Sequence, residues 1–472
     1  MEKFKHVIIG AGVTGLVTAI ELGKTYPGEV LLIEKENEVG GLLRTIERNG
    51  FRYDIGSHII HDEVEPEILK YVDQVSGGLL IRKKRIGKLV FRKSYIRYPL
   101  KSINFLSGLG LRESISCTFS LIYSRVRKIF TPRNKNIDLG YEKELKGNVG
   151  DRAYKIFYRP YAIKLWNCNP NLISSSAIKR QSAMVGPLTL IKQFFRSLIT
   201  KNTDRYYYYL EGGVGKFPEG LEKIANQNGV KILKSIKDFR LDQNKLILNI
   251  NDSDNVIEYD YLVSTVPISA IINKLHFKEK EIDLVNSVKF RGLKLVFIHT
   301  DEEVLIPGEC FYLPETKYAL GRVSIPKRFS NSMNPSEKIT GIICEIPCSP
   351  NDNIWDLTTK EAVKLCYQDL IEAGLLRKKN YKQSEYDFHL NVKDIYPMYY
   401  INWRQNVKSI LKLMAEKYPN IYIAGKSGFF MQSNMDRSIR IGRMLASNLQ
   451  EGKSVNDWYQ NLDYFHDLIL RD

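Results

Sequence analysis

The sequence is poor in cysteine: six are scattered over 472 residues, and the closest pair is Cys344 and Cys348. No C-x-x-C clamp is present, which excludes the common structural zinc frameworks, so no metal site is expected and reduced thiols are the default. No apolar run reaches the roughly 18 residues that a membrane-spanning helix needs. The first apolar run follows the N-terminus almost at once, so no signal peptide is expected and cytoplasm is the expected compartment. Acidic residues are in deficit, 53 against 70 Lys and Arg, which leaves a formal charge of +17. No internal repeat or low-complexity tract stands out.

What remains is ordinary globular composition, 43% hydrophobic and 26% charged, long enough for two or three domains. The basic balance suits polyanions, an anionic membrane surface, phosphorylated small molecules or simple solubility. Nucleic acid is not an expected partner.

Residues 4–9 read as a short buried strand, and Gly10-Ala-Gly12-Val-Thr-Gly15 follows directly. Leu16 to Lys24 has helical character, and a second apolar strand, Val30 to Ile33, ends in Glu34. A strand, a glycine turn and a helix in that order form the dinucleotide fingerprint. The first glycine makes the tight turn, the second lets the backbone approach a pyrophosphate, and the third lets helix and strand pack closely. The helix start offers N–H groups and a positive dipole end to phosphate. Glu34 lies nineteen positions after Gly15, where a carboxylate can accept bonds from an adenosine ribose.

Gly40-Gly41, Arg44-Thr45 and the run Tyr53 to His58, with Gly56 and Ser57, come next. This glycine pair with its basic residue and hydroxyl resembles the second signature of the amine-oxidase and phytoene-desaturase group of FAD enzymes. The resemblance implies FAD, not NAD, with this loop beside the flavin. No covalent attachment motif is recognised, so non-covalent FAD is expected. Asp260 to Pro267 resembles the strand and turn that bring the chain back to the FAD domain. Tyr422 to Gly425, Asn434-Met435-Asp436 and Ile441-Gly442 resemble the segment that closes over the isoalloxazine.

The expected fold is therefore α/β: a Rossmann-type FAD-binding domain interrupted by two insertions. Residues 1–75, 205–290 and 390–450 are assigned to the FAD-binding domain. A helical substrate domain is expected over 76–204, an antiparallel-sheet substrate domain over 291–389, and a C-terminal helix or tail over 451–472. The sheet rests on four alternating runs: Leu293 to Ile298, Cys310 to Leu313, Ala319 to Ile325 and Ile342 to Ile346. Helical periodicity covers 357–377. Tyr206 to Tyr209 reads as a strand with one face buried. Residues 100–130 mix apolar and basic side chains; a core helix is preferred there over an amphipathic helix on a membrane surface. Residues 130–150 read as a linker or mobile loop.

The substrate side is read from Tyr158 to Pro170, with Tyr161, Lys164 and Trp166, and from Ala177-Ile178-Lys179-Arg180. An indole can stack on a base and a guanidinium can clamp a phosphate; a packed tryptophan and a solvated helix end fit the same residues. The stretch resembles the UDP-galactopyranose mutases, in which a Tyr-x-x-Lys-x-Trp run is followed by Ile-Lys-Arg. Gly56 to His61, Tyr98-Pro99-Leu100, Gly212-Gly213-x-Gly215, Tyr396-Pro397 and Gly425 to Asp436 extend the likeness over nearly the whole chain. The resemblance implies that Arg180 and Arg322 contact a nucleotide diphosphate. It also places Tyr161, Trp166 and Tyr396 at the substrate and His58 near the flavin. Two segments depart from it. Phe429 to Ser433 and Phe329 stand where the family has tyrosines, which removes phenolic donors to the diphosphate.

Two functions follow. In the first, which the resemblance implies, a reduced flavin attacks the anomeric carbon of a nucleotide-linked sugar and displaces the nucleoside diphosphate, the sugar ring opens and recloses in the other size and is released, and no net redox occurs; cell-surface polysaccharide biosynthesis is the expected setting. His58, Arg180 and Arg322 carry that chemistry, and an external reductant such as NAD(P)H is a possible partner. In the second, the chain is an oxidoreductase of the amine-oxidase or protoporphyrinogen-oxidase kind, with Phe329, Phe429 and Phe430 lining an apolar pocket.

Overall fold

The computed structural model describes residues 2–98, 108–130, 138–180, 205–250, 253–377 and 383–468, without the side chains of 128, 129, 179, 180 and 250. Its first sheet has a parallel core in the order Lys231–Leu233, Val30–Ile33, Glu2–Ile9, Ser253–Ser264 and Ile421–Ile423. Strands buried on both faces read as continuous apolar runs, and Val7 to Ile9 and Val30 to Ile33 are such runs. Strand Ser253–Ser264 is long enough to serve twice. Its first half pairs antiparallel with Lys245–Ile250, and its second half lies parallel to Glu2–Ile9. The final parallel strand, Ile421–Ile423, comes from far down the chain, so the domain is assembled from both ends.

Helix Val13–Thr25 follows the glycine turn and packs on helix Met435–Gln450. Gly442 makes that approach possible, because a Cβ there would stand 2.8 Å from Thr14 O and 2.9 Å from Val17 Cβ. Thr14 and Thr18 hydroxyls donate across the same seam to the carbonyls of Ser438 and Gly442.

The second sheet runs Phe388–Pro397, Phe290–Thr300, Thr340–Cys348, Arg322–Ser324, Cys310–Tyr312, Lys88–Phe91 and Ser94–Arg97. Two parts of it fall outside the limits expected for the sheet domain. Strand Phe388–Pro397 was assigned from residue 390 to the FAD-binding domain, yet it pairs with Phe290–Thr300. The hairpin Lys88–Arg97 was assigned to a helical unit, yet it joins this sheet. Within this otherwise antiparallel sheet, Lys88–Phe91 pairs parallel with Cys310–Tyr312. Pairing partners from about one hundred to more than two hundred residues apart leave no local trace, which is why these memberships escape a reading of periodicity.

Strand Tyr206–Leu210 buries Tyr207 and Tyr209 and half-exposes Tyr206 and Tyr208, as alternation dictates. Helix Thr359–Glu372 starts on a Thr358–Glu361 capping box. Residues 141–149 are not a loop: they form the helix Tyr141–Val149, whose Tyr141, Leu145 and Val149 recur every four residues and are buried. Helix Leu111–Phe130 forms, but it is not a core helix. It leaves Leu111, Ile115, Phe119, Ile122, Tyr123, Val126 and Phe130 exposed. Among the described residues, no helix is long and apolar enough to cross a membrane, and no cluster of His, Cys, Asp or Glu could hold a metal ion.

Candidate functional site

One cavity of about 940 Å³ runs along the glycine turn and on between the two sheets. Its floor is the end of strand Glu2–Ile9 and the start of helix Val13–Thr25. Gly15 is fixed by packing, since a Cβ there would stand 2.0 Å from Gly10 O. Gly12 is different: a Cβ there would meet nothing within 4 Å, and the residue lines the cavity. The helix has no side-chain N-cap, so its first N–H groups are left for a ligand. Glu34 is buried; its two oxygens accept from Ala11 N at 2.8 Å and Glu36 N at 3.1 Å, and it too lines the cavity.

The glycine pair closes over this floor. Gly40 bridges Gly12 in a short parallel pairing and donates to Ala11 O at 2.7 Å. Gly41 lies close enough that its Cβ would stand 3.4 Å from Gly12 Cα. Arg44 folds back, Nε donating to Gly41 O at 3.1 Å and Nη1 pairing with Glu36 at 3.2 Å. Thr45 and Asp54 anchor the adjoining hairpin. Asp54 accepts from Thr45, Tyr209 and Val214 N, and burial pushes its carboxyl up to about 6.

Farther along, Ser57, His58, Arg322, Gly425, Lys426, Asn434 and Met435 line the same cavity. His58 Nε2 lies 3.0 Å from Ile55 O. Desolvation and the Arg322 charge push the imidazole down to about 4, so it is neutral at pH 7. Arg322 Nε donates to the buried Glu345 at 2.7 Å, and Ser57 N donates to the same oxygen at 3.3 Å. A Cβ on Gly56 would stand 3.4 Å from Arg322 Nη2, so that glycine packs behind the guanidinium and not in the main cavity. Tyr396 lies beside Lys426, whose ammonium is 5.9 Å from the ring centroid, and it adds to the field at Arg322. Asp436 sits in the first turn of helix Met435–Gln450, where a carboxylate complements the dipole, and is not a lining residue.

Residues that the sequence reading did not single out complete the wall. Arg85 and Glu309 line it and are both buried. Glu309 accepts from Ile86 N, and burial raises its carboxyl. Tyr98, of the Tyr98-Pro99 pair, packs on Tyr312 with ring centroids 4.1 Å apart; Arg85 lies 5.5 Å from the Tyr98 ring. Tyr312 and Arg322 are cross-strand neighbours. The usable signal was the alternation of Cys310 to Leu313, which puts Tyr312 and Cys310 on one face.

The helical motif behaves otherwise. Trp166 is buried, edge-on to Tyr141 at 4.9 Å, and Tyr161 lies 6.0 Å from Phe157. Neither lines the cavity. Lys164 donates to the carbonyls of Leu313, Glu315 and Leu320, docking the helix Arg159–Trp166 on the second sheet. Arg180 ends the short turn Ser175–Arg180, and its side chain lies outside the described residues, as do Pro99 and Leu100. Phe329 lines the cavity, whereas Phe429 and Phe430 are fully buried against Trp458, Phe465, Trp403 and Phe290.

A long groove with an open glycine floor, a bare helix start and a carboxylate at one end fits a dinucleotide, and its length beyond Arg44 fits a flavin attached to it. The model of the flavin containing amine oxidoreductase family matches residues 13–449. Reduced UDP-galactopyranose mutase superposes with a TM-score of 0.82 at 19% identity, covering 99% of this chain and 100% of that one. A redesigned putrescine oxidase superposes with a TM-score of 0.61 at 13% identity, covering 95% and 99%. Coproporphyrinogen III oxidase of Bacillus subtilis is 20% identical over 461 residues, 90% of this chain and 93% of that protein. At these identities the structural likenesses show the fold alone.

Proposed function

We propose that this chain, which belongs to the flavin containing amine oxidoreductase family and is an FAD-dependent enzyme, interconverts ring forms of a sugar carried on a nucleoside diphosphate. The observation that carries the reading is the charge of the cavity. At the flavin end Arg85, Arg322 and Lys426 line it with Tyr98 and Tyr312 against one acid, Glu309, whose carboxyl burial raises, and the neutral His58 adds no positive charge of its own. Such a wall suits a diphosphate and a stacked base better than an apolar amine or polyene.

In this reading Gly10, Gly12 and Glu34 hold the adenosine diphosphate half of FAD, and Gly15 lets the helix pack closely on the turn. Gly40, Gly41, Arg44, Ser57, Gly425, Asn434 and Met435 hold the flavin half. A reduced flavin held by these residues would supply the nucleophilic chemistry, and an external reductant such as NAD(P)H would keep it reduced. The chain's own residues supply position and charge. Glu345 holds Arg322 by Nε, which fixes the plane of the guanidinium and leaves its terminal N–H groups for diphosphate oxygens. Arg85 and Lys426 add charge as the diphosphate departs, and Glu309 accepts bonds from sugar hydroxyls. Arg180 is proposed as a second diphosphate contact. Tyr396 is assigned a supporting place behind Lys426 and Arg322.

The second reading, oxidation of a tetrapyrrole-like or amine substrate, is favoured by the full-length likeness to coproporphyrinogen III oxidase and by Phe329 at the cavity wall. One experiment separates them. Chemically reduced holoprotein is incubated with a panel of nucleotide sugars, and products are followed by NMR beside the flavin spectrum. Furanose product without flavin reoxidation supports the mutase. Turnover only by oxidised protein, with hydrogen peroxide or a reduced acceptor formed, overturns it.

A further inference from the structure

Helix Leu111–Phe130 is twenty residues long, about 30 Å at the rise of an α-helix. It is apolar on two sides. Cys117 is buried, and the helix packs through that side on Tyr141–Val149 and Asp151–Ala153. On the opposite side Leu111, Ile115, Phe119, Ile122, Val126 and Phe130 recur at steps of four and three residues, with Tyr123 beside them. Leu111 is 79% exposed, Phe119 69% and Phe130 81%. A continuous stripe of this kind is not scattered surface hydrophobicity; it marks a contact.

The charge around the stripe indicates what it contacts. The helix itself holds Arg112, Arg125, Arg127 and Lys128 against a single acid, Glu113. Glu113 is itself neutralised, paired with Arg152 at 2.6 Å and Arg92 at 3.8 Å. Exposed Arg92 and Lys93, at the tip of the hairpin beside the helix start, and exposed Arg112 and Arg127 flank the apolar residues. An apolar face with aromatic side chains and a cationic surround is the pattern of a helix lying in the headgroup region of an anionic bilayer. A second copy of the chain would bring an equally positive patch against the first, which charge opposes.

We propose that this helix docks the enzyme on an anionic lipid surface, lying in the plane of the interface. The proposal does not depend on which reaction the flavin site performs.

The test uses full-length holoprotein and vesicles of phosphatidylcholine with or without phosphatidylglycerol. The expected result is cosedimentation with the anionic vesicles only, weakened at about 0.5 M salt. A variant carrying Ile115→Ser, Phe119→Ser and Ile122→Ser should lose at least about tenfold in partition coefficient with an unchanged flavin spectrum. Protein left in the supernatant with anionic vesicles, or a triple variant that binds as well as the parent, overturns the proposal. So does a dimer in sedimentation velocity that the triple variant dissolves while vesicle binding is absent.

Discussion

Arg322 and Glu345 stand directly opposite one another on adjacent antiparallel strands, and Arg322 Nε donates to Glu345 Oε1 at 2.7 Å. Glu345 is 3% exposed, so its charge has little water to lean on and holds the guanidinium well above the ordinary range for arginine. The pair therefore does two things at once. It stabilises the seam between the strands, and it aims a cation into the cavity.

Replacing Arg322 should reveal both roles. Arg322→Ala leaves a buried carboxylate unpaired and should cost about 3–5 kcal/mol of stability in urea melts. In the folded fraction, affinity for a nucleoside diphosphate should fall by about 10–100-fold by calorimetry. Arg322→Lys should recover part of the stability but not the affinity, because an ammonium cannot keep one donor on Glu345 while presenting a planar pair to phosphate. Equal affinity in all three proteins would remove Arg322 from the binding site.

Gly12 and Gly15 should fail differently. Gly12 has an ordinary helix-entry φ of −71° and open space at its Cβ position, so Gly12→Ala should leave apoprotein stability within about 0.5 kcal/mol. FAD affinity should nevertheless drop by at least about tenfold, because the new methyl group occupies the space the pyrophosphate needs. Gly15→Ala places a carbon 2.0 Å from Gly10 O and should cost about 2 kcal/mol or more of stability before any cofactor is added. Flavin fluorescence titration beside thermal melts of the apoprotein separates the two.

The contrast between these glycines and Arg85 explains how much of the site could be read in advance. Gly10 to Glu34 is a local constraint: turn, helix and strand lie within one short stretch, and each residue type answers a steric or hydrogen-bonding need. The return of Asp260 to Pro267 was legible for the same reason, as an apolar strand ending in a turn. Arg85, Glu309 and Tyr312 come together only because Lys88–Phe91 pairs with Cys310–Tyr312, and nothing near either strand announces its partner. Trp166 and Lys164 show the converse error. Their chemistry suits a ligand, but an indole edge-on to Tyr141 and an ammonium closed in by three carbonyls are consumed by packing. Helix Leu111–Phe130 was legible as a helix but not as an exposed one, since apolar residues on both faces hide which face is covered.

His6 should make stability depend on pH. The ring is fully buried between Tyr26 and Tyr261, both nitrogens lack hydrogen-bond partners, and burial pushes it down from 6.5 to about 4. A base whose folded value is depressed is neutral in both states at high pH, and its penalty appears as the unfolded chain takes up protons. Stability should therefore be full above about pH 7 and fall between about pH 6.5 and 4, by about 2 kcal/mol at pH 5 from this group. His58 and His466 are depressed to about 4 as well and add loss in the same window. His6→Phe keeps the ring contacts and removes two unpartnered polar atoms. Urea melts should show it at least as stable as the parent at pH 8 and about 2 kcal/mol more stable, relative to that difference, at pH 5. An unchanged pH slope would mean that His6 has a partner when folded.

Lys164 should prove structural although it sits in the motif that resembles a substrate segment. Its ammonium donates to the carbonyls of Leu313, Glu315 and Leu320, and desolvation pushes it down to about 7. Lys164→Met keeps the length and apolar stem of the side chain but leaves three acceptors without their donor. The expected cost is about 2–4 kcal/mol, since each unmet buried acceptor costs about 1 kcal/mol or more and the desolvated charge is removed at the same time. Because the same three carbonyls hold helix Arg159–Trp166 on the second sheet, protease cleavage within residues 151–180 should quicken in the variant. Nucleoside diphosphate affinity of the folded fraction should stay within about threefold of the parent, as Lys164 does not line the cavity. A large loss of affinity with unchanged stability would reverse the assignment and return Lys164 to the substrate.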